Sequence, residues 1–148
     1  MNVGMLLKGK ERAGVVVIDQ RASVAEAARL MMQHGIGGLP VVDGTGSPLG
    51  FVSEREIVAA LDRGSEDIRG ARVSDVMRRP APLCSADDSV NDVMARMTRE
   101  RLRHLIIMGG GTIAGVISVG DLVKHRLEQL ETEAGVLRDY VAAQRAKS

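Results

Sequence analysis

A fold of α+β class, two copies of one β-α-β-β-α unit around a shared interior, follows from the sequence. The first sign is repetition. Ser23-Val24-Ala25-Glu26-Ala27-Ala28-Arg29-Leu30-Met31 is answered by Ser89-Val90-Asn91-Asp92-Val93-Met94-Ala95-Arg96-Met97, and self-similarity at a fixed offset marks a duplicated supersecondary unit. The second sign is register. It holds through Ile36/Leu102, Leu39/Leu105, Val41/Ile107 and Val42/Met108. After a shorter second glycine loop, Gly50-Phe51-Val52-Ser53-Glu54-Arg55-Glu56-Ile57-Val58 meets Gly115-Val116-Ile117-Ser118-Val119-Gly120-Asp121-Leu122-Val123. The third is size: 148 residues make one ordinary domain, so two copies must share a core.

The elements follow in order. Val3–Leu7 reads as a short helix ended by Gly9, and the β-branched run Val15–Ile18 as a strand followed by a turn over Asp19–Ala22. Ser23 is an N-cap with Glu26 completing a capping box. The helix behind it sets Val24, Ala27, Ala28, Met31 and Met32 on one face and stops at Gly35. Leu39–Val42 and Leu49–Ser53 are strands joined by the hairpin loop 43–48, and Glu54–Leu61 is a helix closing near Gly64. A connector from Ser65 to Pro82 holds a short segment, Val73–Met77, capped by Ser74 or Asp75. The second copy repeats the order: a strand near Ala81–Cys84, a helix from Ser89 to about Arg101, strands Leu105–Met108 and Ile113–Ser118, and a helix from Val119. The expected units are repeat 1 with its N-terminal helix (1–64), a connector (65–80), repeat 2 (81–124) and a C-terminal helical extension (125–148).

In that last helix Leu127, Leu130, Ala134, Leu137 and Val141 recur at steps of three and four, a narrow stripe that suits a partner helix. Gly135 weakens the helix by about 1 kcal/mol relative to Ala.

Composition excludes several functions. A net charge of +1 gives no electrostatic case for nucleic acid or an anionic membrane, and with Phe51 and Tyr140 the only aromatics there is no stacking platform for single strands. Cys84 is alone, which excludes an intrachain disulfide and a cysteine-based metal site; His34 and His125 are too scattered to suggest a metal. No apolar run reaches the roughly 20 residues of a membrane span, and Met1–Lys10 lacks the pattern of a signal peptide, so a cytoplasmic location is expected. Neither Gly44-Thr45-Gly46 nor Gly109-Gly110-Gly111 leads into a Gly-Lys-Ser/Thr sequence, so these are hairpin turns and not phosphate loops.

The two units, each ending Gly-apolar-x-Ser-x-x-acid-apolar, resemble the CBS domain, named from cystathionine β-synthase. The resemblance runs from about Val3 to Val123. It is carried by Val24–Arg29, Ser53–Val58, Val73–Met77, Arg103-His104-Leu105 and Val116–Lys124, and the tail Glu131–Val141 also looks like that of small stand-alone bacterial tandem-CBS proteins. It implies two CBS units packed through their sheets with pseudo-two-fold symmetry, and up to two clefts for adenine nucleotides. It implies further a disc-shaped homodimer and a non-catalytic ligand-sensing role toward a separate, unknown partner. The catalytic proteins that carry CBS pairs, such as inosine monophosphate dehydrogenase, need a further barrel of about 250 residues and a nucleophilic cysteine. This chain has no room for that barrel.

An adenosine nucleotide asks for a carboxylate at its ribose diol, for N–H groups, a hydroxyl and cations at its phosphate, and for an apolar slot around its base. In repeat 2 the resemblance assigns Asp121 to the ribose and Ser118 to the phosphate side; Arg103 and His104 add positive charge, Ala81, Leu83 and Leu105 line the base, and Gly120 belongs to the same nucleotide-binding set. Arg78 and Pro80, from the connector, stand beside this site, and two arginines (Arg78, Arg79) there favour a polyphosphate or a dinucleotide. In repeat 1 the corresponding set is Lys8, Val17, Gly37, Gly38, Leu39, Pro40, Ser53, Arg55 and Glu56. Its acid is longer than Asp121 by one methylene, about 1.5 Å, and Gly37-Gly38 replaces Arg103-His104, so repeat 2 is expected to hold the principal site. AMP, ADP, ATP, NAD and S-adenosylmethionine all meet these demands, and no metal is required. The alternative reading is a structural dimerisation or adaptor module with degenerate clefts.

Overall fold

The computed structural model describes residues 1–8, 14–64 and 67–147. Along them run α1 (Val3–Lys8), β1 (Ile18–Asp19), α2 (Val24–His34), β2 (Gly38–Val42), β3 (Pro48–Ser53), α3 (Glu54–Asp62) and α4 (Val73–Val76). The second half adds β4 (Leu83–Ser85), α5 (Val90–Glu100), β5 (His104–Gly109), β6 (Thr112–Ser118) and α6 (Val119–Lys147). The strands make two three-stranded sheets, β1-β2-β3 and β4-β5-β6. In each, the first pair is parallel across a helical crossover and the second is an antiparallel hairpin. The duplicated β-α-β-β-α order is thus present twice.

Local chemistry explains the boundaries. The Ser23 hydroxyl accepts the Glu26 N–H at 3.1 Å and the Ser89 hydroxyl accepts that of Asp92 at 3.0 Å, so both crossover helices start on the same cap. Helix α2 ends at Gly35 with φ 60°, a left-handed conformation natural to glycine; α5 ends at Arg101 with φ 55°. Leu39, Val41 and Val52 are wholly buried in one core cluster, and Leu105, Ile107 and Ile117 in the other, so each repeat has its own core where the sequence reading expects one shared interior, because each sheet buries one face on its own helices. Each such side chain contributes roughly 1.5–3 kcal/mol.

Four expectations need correction. The first strand is only Ile18–Asp19, because Val15–Val17 runs unpaired, with Val15 and Val16 along a cleft. Helix α2 buries Val24, Ala27 and Met31 but exposes Ala28 and Met32, which lie about 40° and 80° further round than Val24 and outside the arc that one sheet covers. The cap of α4 is Arg72, not Ser74 or Asp75. The strand near Ala81 begins at Leu83. The proposed stop at Gly9 lies outside the described residues.

The two short helices are exchanged. Helix α1 packs in the second core, where Val3 is wholly buried with Val90, Val93 and Leu105; α4 packs in the first, through Val73 and Met77. The bonds correspond one to one. Val3 and Gly4 N–H donate to Asp88 and Ala86 carbonyls, as Val73 and Ser74 N–H donate to those of Ala22 and Gln20. Equivalent glycines make room for the inserted helices: a Cβ on Gly50 would strike the Arg78 carbonyl and Met77, and one on Gly115 would strike Leu7 at 2.6 Å.

Candidate functional site

Within a strand, alternate residues face opposite sides, and this sorts the candidates. Leu39, Val41, Leu105 and Ile107 face the helices and form the cores. The other parity, Gly38, Pro40 and Phe51 in one repeat and His104 and Ile106 in the other, leaves the seam between the sheets. There the Phe51 ring stacks on the His104 imidazole, with centroids 4.9 Å apart and planes inclined at 29°.

Two clefts flank this stack. The wide one has a volume of about 920 Å³, within the range of small-molecule sites. One wall is the strand-to-helix junction of the second repeat, Ser118 and Asp121, continued along α6 by Lys124, His125 and Glu128. The opposite wall comes from the first repeat, Gly14–Val16 and Gly35–Gly38, while Leu6 and Leu7 of α1, which packs on the second repeat, join Ala114–Val116 of β6 on the near side. The narrow one has about 30 Å³, room for little more than a water. It lies between Ser53, Arg55 and Glu56 of the first repeat and Arg78, Pro82 and Arg101–His104. His104 lines both.

Each junction is held by its own hydrogen bonds. Asp121 accepts the Ser118 N–H at 2.8 Å, and the Ser118 hydroxyl accepts the Asp121 N–H at 3.1 Å, a reciprocal capping box. The α6 N-terminus is tied to the preceding loop by Val119 N–H donating to the Arg103 carbonyl at 2.9 Å. At the first junction Glu56 accepts both the Ser53 N–H, at 2.9 Å, and the Ser53 hydroxyl, which is thereby turned onto the carboxylate. Glu54 N–H donates to the Gly37 carbonyl at 3.1 Å, the counterpart of the Val119 bond.

The electrostatics of the clefts differ. Four arginines, Arg55, Arg78, Arg101 and Arg103, rim the narrow cleft against Glu56. Arg78 is fixed there because its N–H and carbonyl pair with those of Phe51 at 2.8 and 3.0 Å. The wide cleft mixes Lys124 and two histidines with Asp121 and Glu128. Burial holds the His104 imidazole below its ordinary pKa; Glu56, Asp121 and Glu54 oppose that shift and Arg103 adds to it. Burial also pushes the Cys84 thiol up to about 11, which with its place in the second core marks it as an inert interior residue. Among the described residues no group of three His, Cys, Asp or Glu side chains could hold a metal, and no helix is long and apolar enough to cross a membrane.

The expected site residues are regrouped by this geometry. Ser118, Asp121 and His104 share the wide cleft with Gly37 and Gly38, which were expected in the other set. Arg78, Arg103 and again His104 share the narrow cleft with Ser53, Arg55 and Glu56. Each cleft therefore takes a junction from one repeat and a wall from the other. Lys8, Val17, Leu39, Pro40, Pro80, Ala81, Leu83, Leu105 and Gly120 line neither cleft. Leu39, Pro40 and Leu105 are wholly buried, Val17 and Leu83 lie at the surface, and Lys8, Pro80 and Gly120 are exposed. Residues that sequence reasoning missed include Phe51, Arg101, Gly14–Val16 and Lys124, His125 and Glu128. The last three were findable, since positions three, four and seven after Asp121 share its helix face.

Comparison with known proteins bears on family and fold. The family model described as "CBS domain" matches residues 12–63 and 73–128. A CBS-domain containing protein from Agrobacterium tumefaciens is 34% identical with a TM-score of 0.78, over 84% of this chain and 92% of that one. A CBS-domain protein from Burkholderia ambifaria is 33% identical with the same TM-score of 0.78, over 86% and 95%. An uncharacterized 17.7 kDa protein of Acidianus ambivalens is 31% identical over 115 residues, which is 77% of this chain and 68% of that protein. Two more distant structures share the fold and were solved with ligands. CBSX2, in complex with AMP, is 21% identical with a TM-score of 0.73, over 86% and 97%. A CBS domain pair in complex with 5-methylthioadenosine and S-adenosyl-L-methionine is 19% identical with a TM-score of 0.75, over 87% and 98%.

Proposed function

The chain belongs to the CBS-domain family as a tandem pair, and from that premise we propose that it is a cytoplasmic sensor of adenine nucleotides that binds its ligand in the wide cleft and signals to a separate partner. CBS pairs are non-catalytic regulatory modules. The observation that carries the reading is the pairing of a 920 Å³ cleft with the Ser118–Asp121 start of α6 on one wall and the glycine-rich Gly35–Gly38 segment on the other. The helix N-terminus and the Ser118 hydroxyl suit a phosphate, the Asp121 carboxylate suits a ribose diol, and Val15, Val16 and Ile36 supply apolar surface for a base. That CBSX2 and a second CBS pair hold AMP, and methylthioadenosine with S-adenosylmethionine, supports an adenosine ligand. ADP, ATP and NAD belong to the same class. A ligand that touches both walls favours one packing of the repeats over others, and that is how binding becomes a signal.

The narrow cleft favours a second reading, a module whose first site is degenerate. Its volume is small, and the Ser53 hydroxyl is committed to Glu56. We assign nucleotide binding to the wide cleft alone.

Thermal unfolding against AMP, ADP, ATP, NAD and S-adenosylmethionine, beside guanine nucleotides, tests this. At a hundredfold excess over Kd a ligand specific for the folded state stabilises by about 2.7 kcal/mol, several degrees for a chain of this length. A shift with an adenine ligand, lost in Asp121→Asn, supports the sensor; no shift with any of them leaves the adaptor reading.

A further inference from the structure

We propose that His104 takes up a proton from solvent when a phosphorylated adenine nucleotide enters the wide cleft, so that the imidazolium pairs with the phosphate and binding strengthens as pH falls. Such uptake rests on the reading that nucleotide binds in that cleft, and it narrows the ligand to one that carries a phosphate.

Strand register places the ring. His104 opens β5 and pairs with Ser118, the last residue of β6. Residues directly opposite in an antiparallel pair point to one face of the sheet, with Cβ atoms about 4.5–5.5 Å apart. The imidazole therefore stands beside the hydroxyl at the start of α6, the end of a helix that suits a phosphate. Phe51 covers one face of the ring. Its Nε2 is turned to the opposite wall: a Cβ on Gly37 would lie 3.9 Å from that nitrogen and 3.9 Å from the Glu54 carboxylate. The equivalent position in repeat 1, opposite Ser53, is Gly38, so the imidazole has no counterpart at the first junction.

The charges around the ring oppose one another. Burial, the largest influence, holds the imidazole below its ordinary pKa of 6.5 and leaves it mostly neutral at pH 7; Glu56, Asp121 and Glu54 pull the other way, and Arg103 works with burial. Among the described residues that line the clefts, Arg55 of α3, Arg78 of the connector and Arg101 stand on the narrow side. On the wide side Lys124, His125 and Glu128 continue along α6. A phosphate at Ser118 adds negative charge to that of the three carboxylates, and an opposite charge within about 4–6 Å favours the charged form of a titrating group by about one pH unit or more. Adenosine brings no such charge. The ring answers to the phosphate and not to the base.

Calorimetric titration of the full chain with AMP, ADP, ATP and NAD at pH 5.5 and pH 7.5, beside adenosine, tests this. For each nucleotide that binds, the affinity at pH 5.5 relative to pH 7.5 is expected to be about three- to tenfold greater in wild type than in His104→Asn; titration of the phosphate itself is common to both chains. Observed heats that vary with the ionisation enthalpy of the buffer should report the proton taken up. Adenosine should show no difference between the two chains, and His125→Asn should keep the wild-type ratio. Nuclear magnetic resonance needs no variant to fold: of the three histidines, His104 should titrate about one pH unit higher with nucleotide than without. Equal pH ratios in wild type and His104→Asn, a linkage lost in His125→Asn instead, the same linkage with adenosine, or an unmoved His104 titration would each overturn the proposal while leaving nucleotide binding in place. Binding by none of these ligands would overturn it together with the sensor reading.

Discussion

The ring of Phe51 in β3 lies on the imidazole of His104 in β5, 4.9 Å between centroids, and this contact joins the two sheets at the line where the two clefts meet. Phe51 is 3% exposed, so it contributes ordinary burial as well as the stack. Phe51→Ala is therefore expected to cost about 3–5 kcal/mol in urea unfolding. The part belonging to the stack is isolated by a cycle with His104→Ala, where a coupling of about 0.5–1.5 kcal/mol is expected. Strict additivity would mean that the rings touch without contributing.

The same imidazole predicts a pH dependence. Burial, the largest influence on His104, depresses its pKa in the folded state below the ordinary 6.5. At pH values between the folded and unfolded pKa the unfolded chain binds more protons, so stability rises with pH there. The contribution of this group is full above pH 6.5 and is lost as pH falls through the depressed folded value. Wild type should lose more stability than His104→Asn between pH 7.5 and pH 5. The carboxylates of Asp19 and Asp43, held low by hydrogen bonds from Arg21 and Thr45, are lost only further down, below 3.8. An equal loss in wild type and His104→Asn would show that the ring titrates as it does in water.

Much of this architecture is legible in the sequence because it is local. Ser23 and Ser89 declare their helices through a bond three residues away, and the 43–48 loop declares its hairpin. The site is less legible, because a cleft is set by which faces meet. Leu39 and Leu105 look like lining residues beside Gly38 and His104, yet strand alternation sends them to the cores. Likewise the motif pairs Ser118 with its own repeat, whereas the fold sets it across from Gly37 and Gly38 of the other. The exchange of α1 and α4 is a long-range fact of the same kind: nothing within Val3–Leu7 says which core receives it.

That exchange makes a ranked prediction for three glycines. A Cβ at Gly50 meets a backbone carbonyl, that of Arg78, which is itself bonded to Phe51 N–H. At Gly115 it meets only the end of the Leu7 side chain, and at Gly44 nothing within 4 Å. Gly50→Ala should cost about 1–3 kcal/mol or more, Gly115→Ala less because Leu7 can rotate away, and Gly44→Ala close to nothing. Chemical denaturation of the three variants reads this order; a costly Gly44→Ala or a silent Gly50→Ala would contradict the packing of α4.

Ser118 and Asp121 cap α6 through each other, and any ligand role has to be separated from that structural one. Ser118→Ala removes a cap bond and should cost about 1 kcal/mol of stability whether or not a ligand binds. The informative quantity is the ligand-induced shift, measured for each variant against its own unliganded midpoint. Asp121→Asn keeps an oxygen to accept the Ser118 N–H but loses the charge, so its nucleotide affinity should fall by about 1–3 kcal/mol with little change in basal stability. On the same scale Ser118→Ala should weaken binding more than Ser53→Ala, because the Ser53 hydroxyl already donates to Glu56 beside a nearly filled cleft. The reverse ranking, in a chain that still binds nucleotide, would move the principal site to the arginine-rimmed cleft and require the Phe51–His104 stack to open when ligand enters.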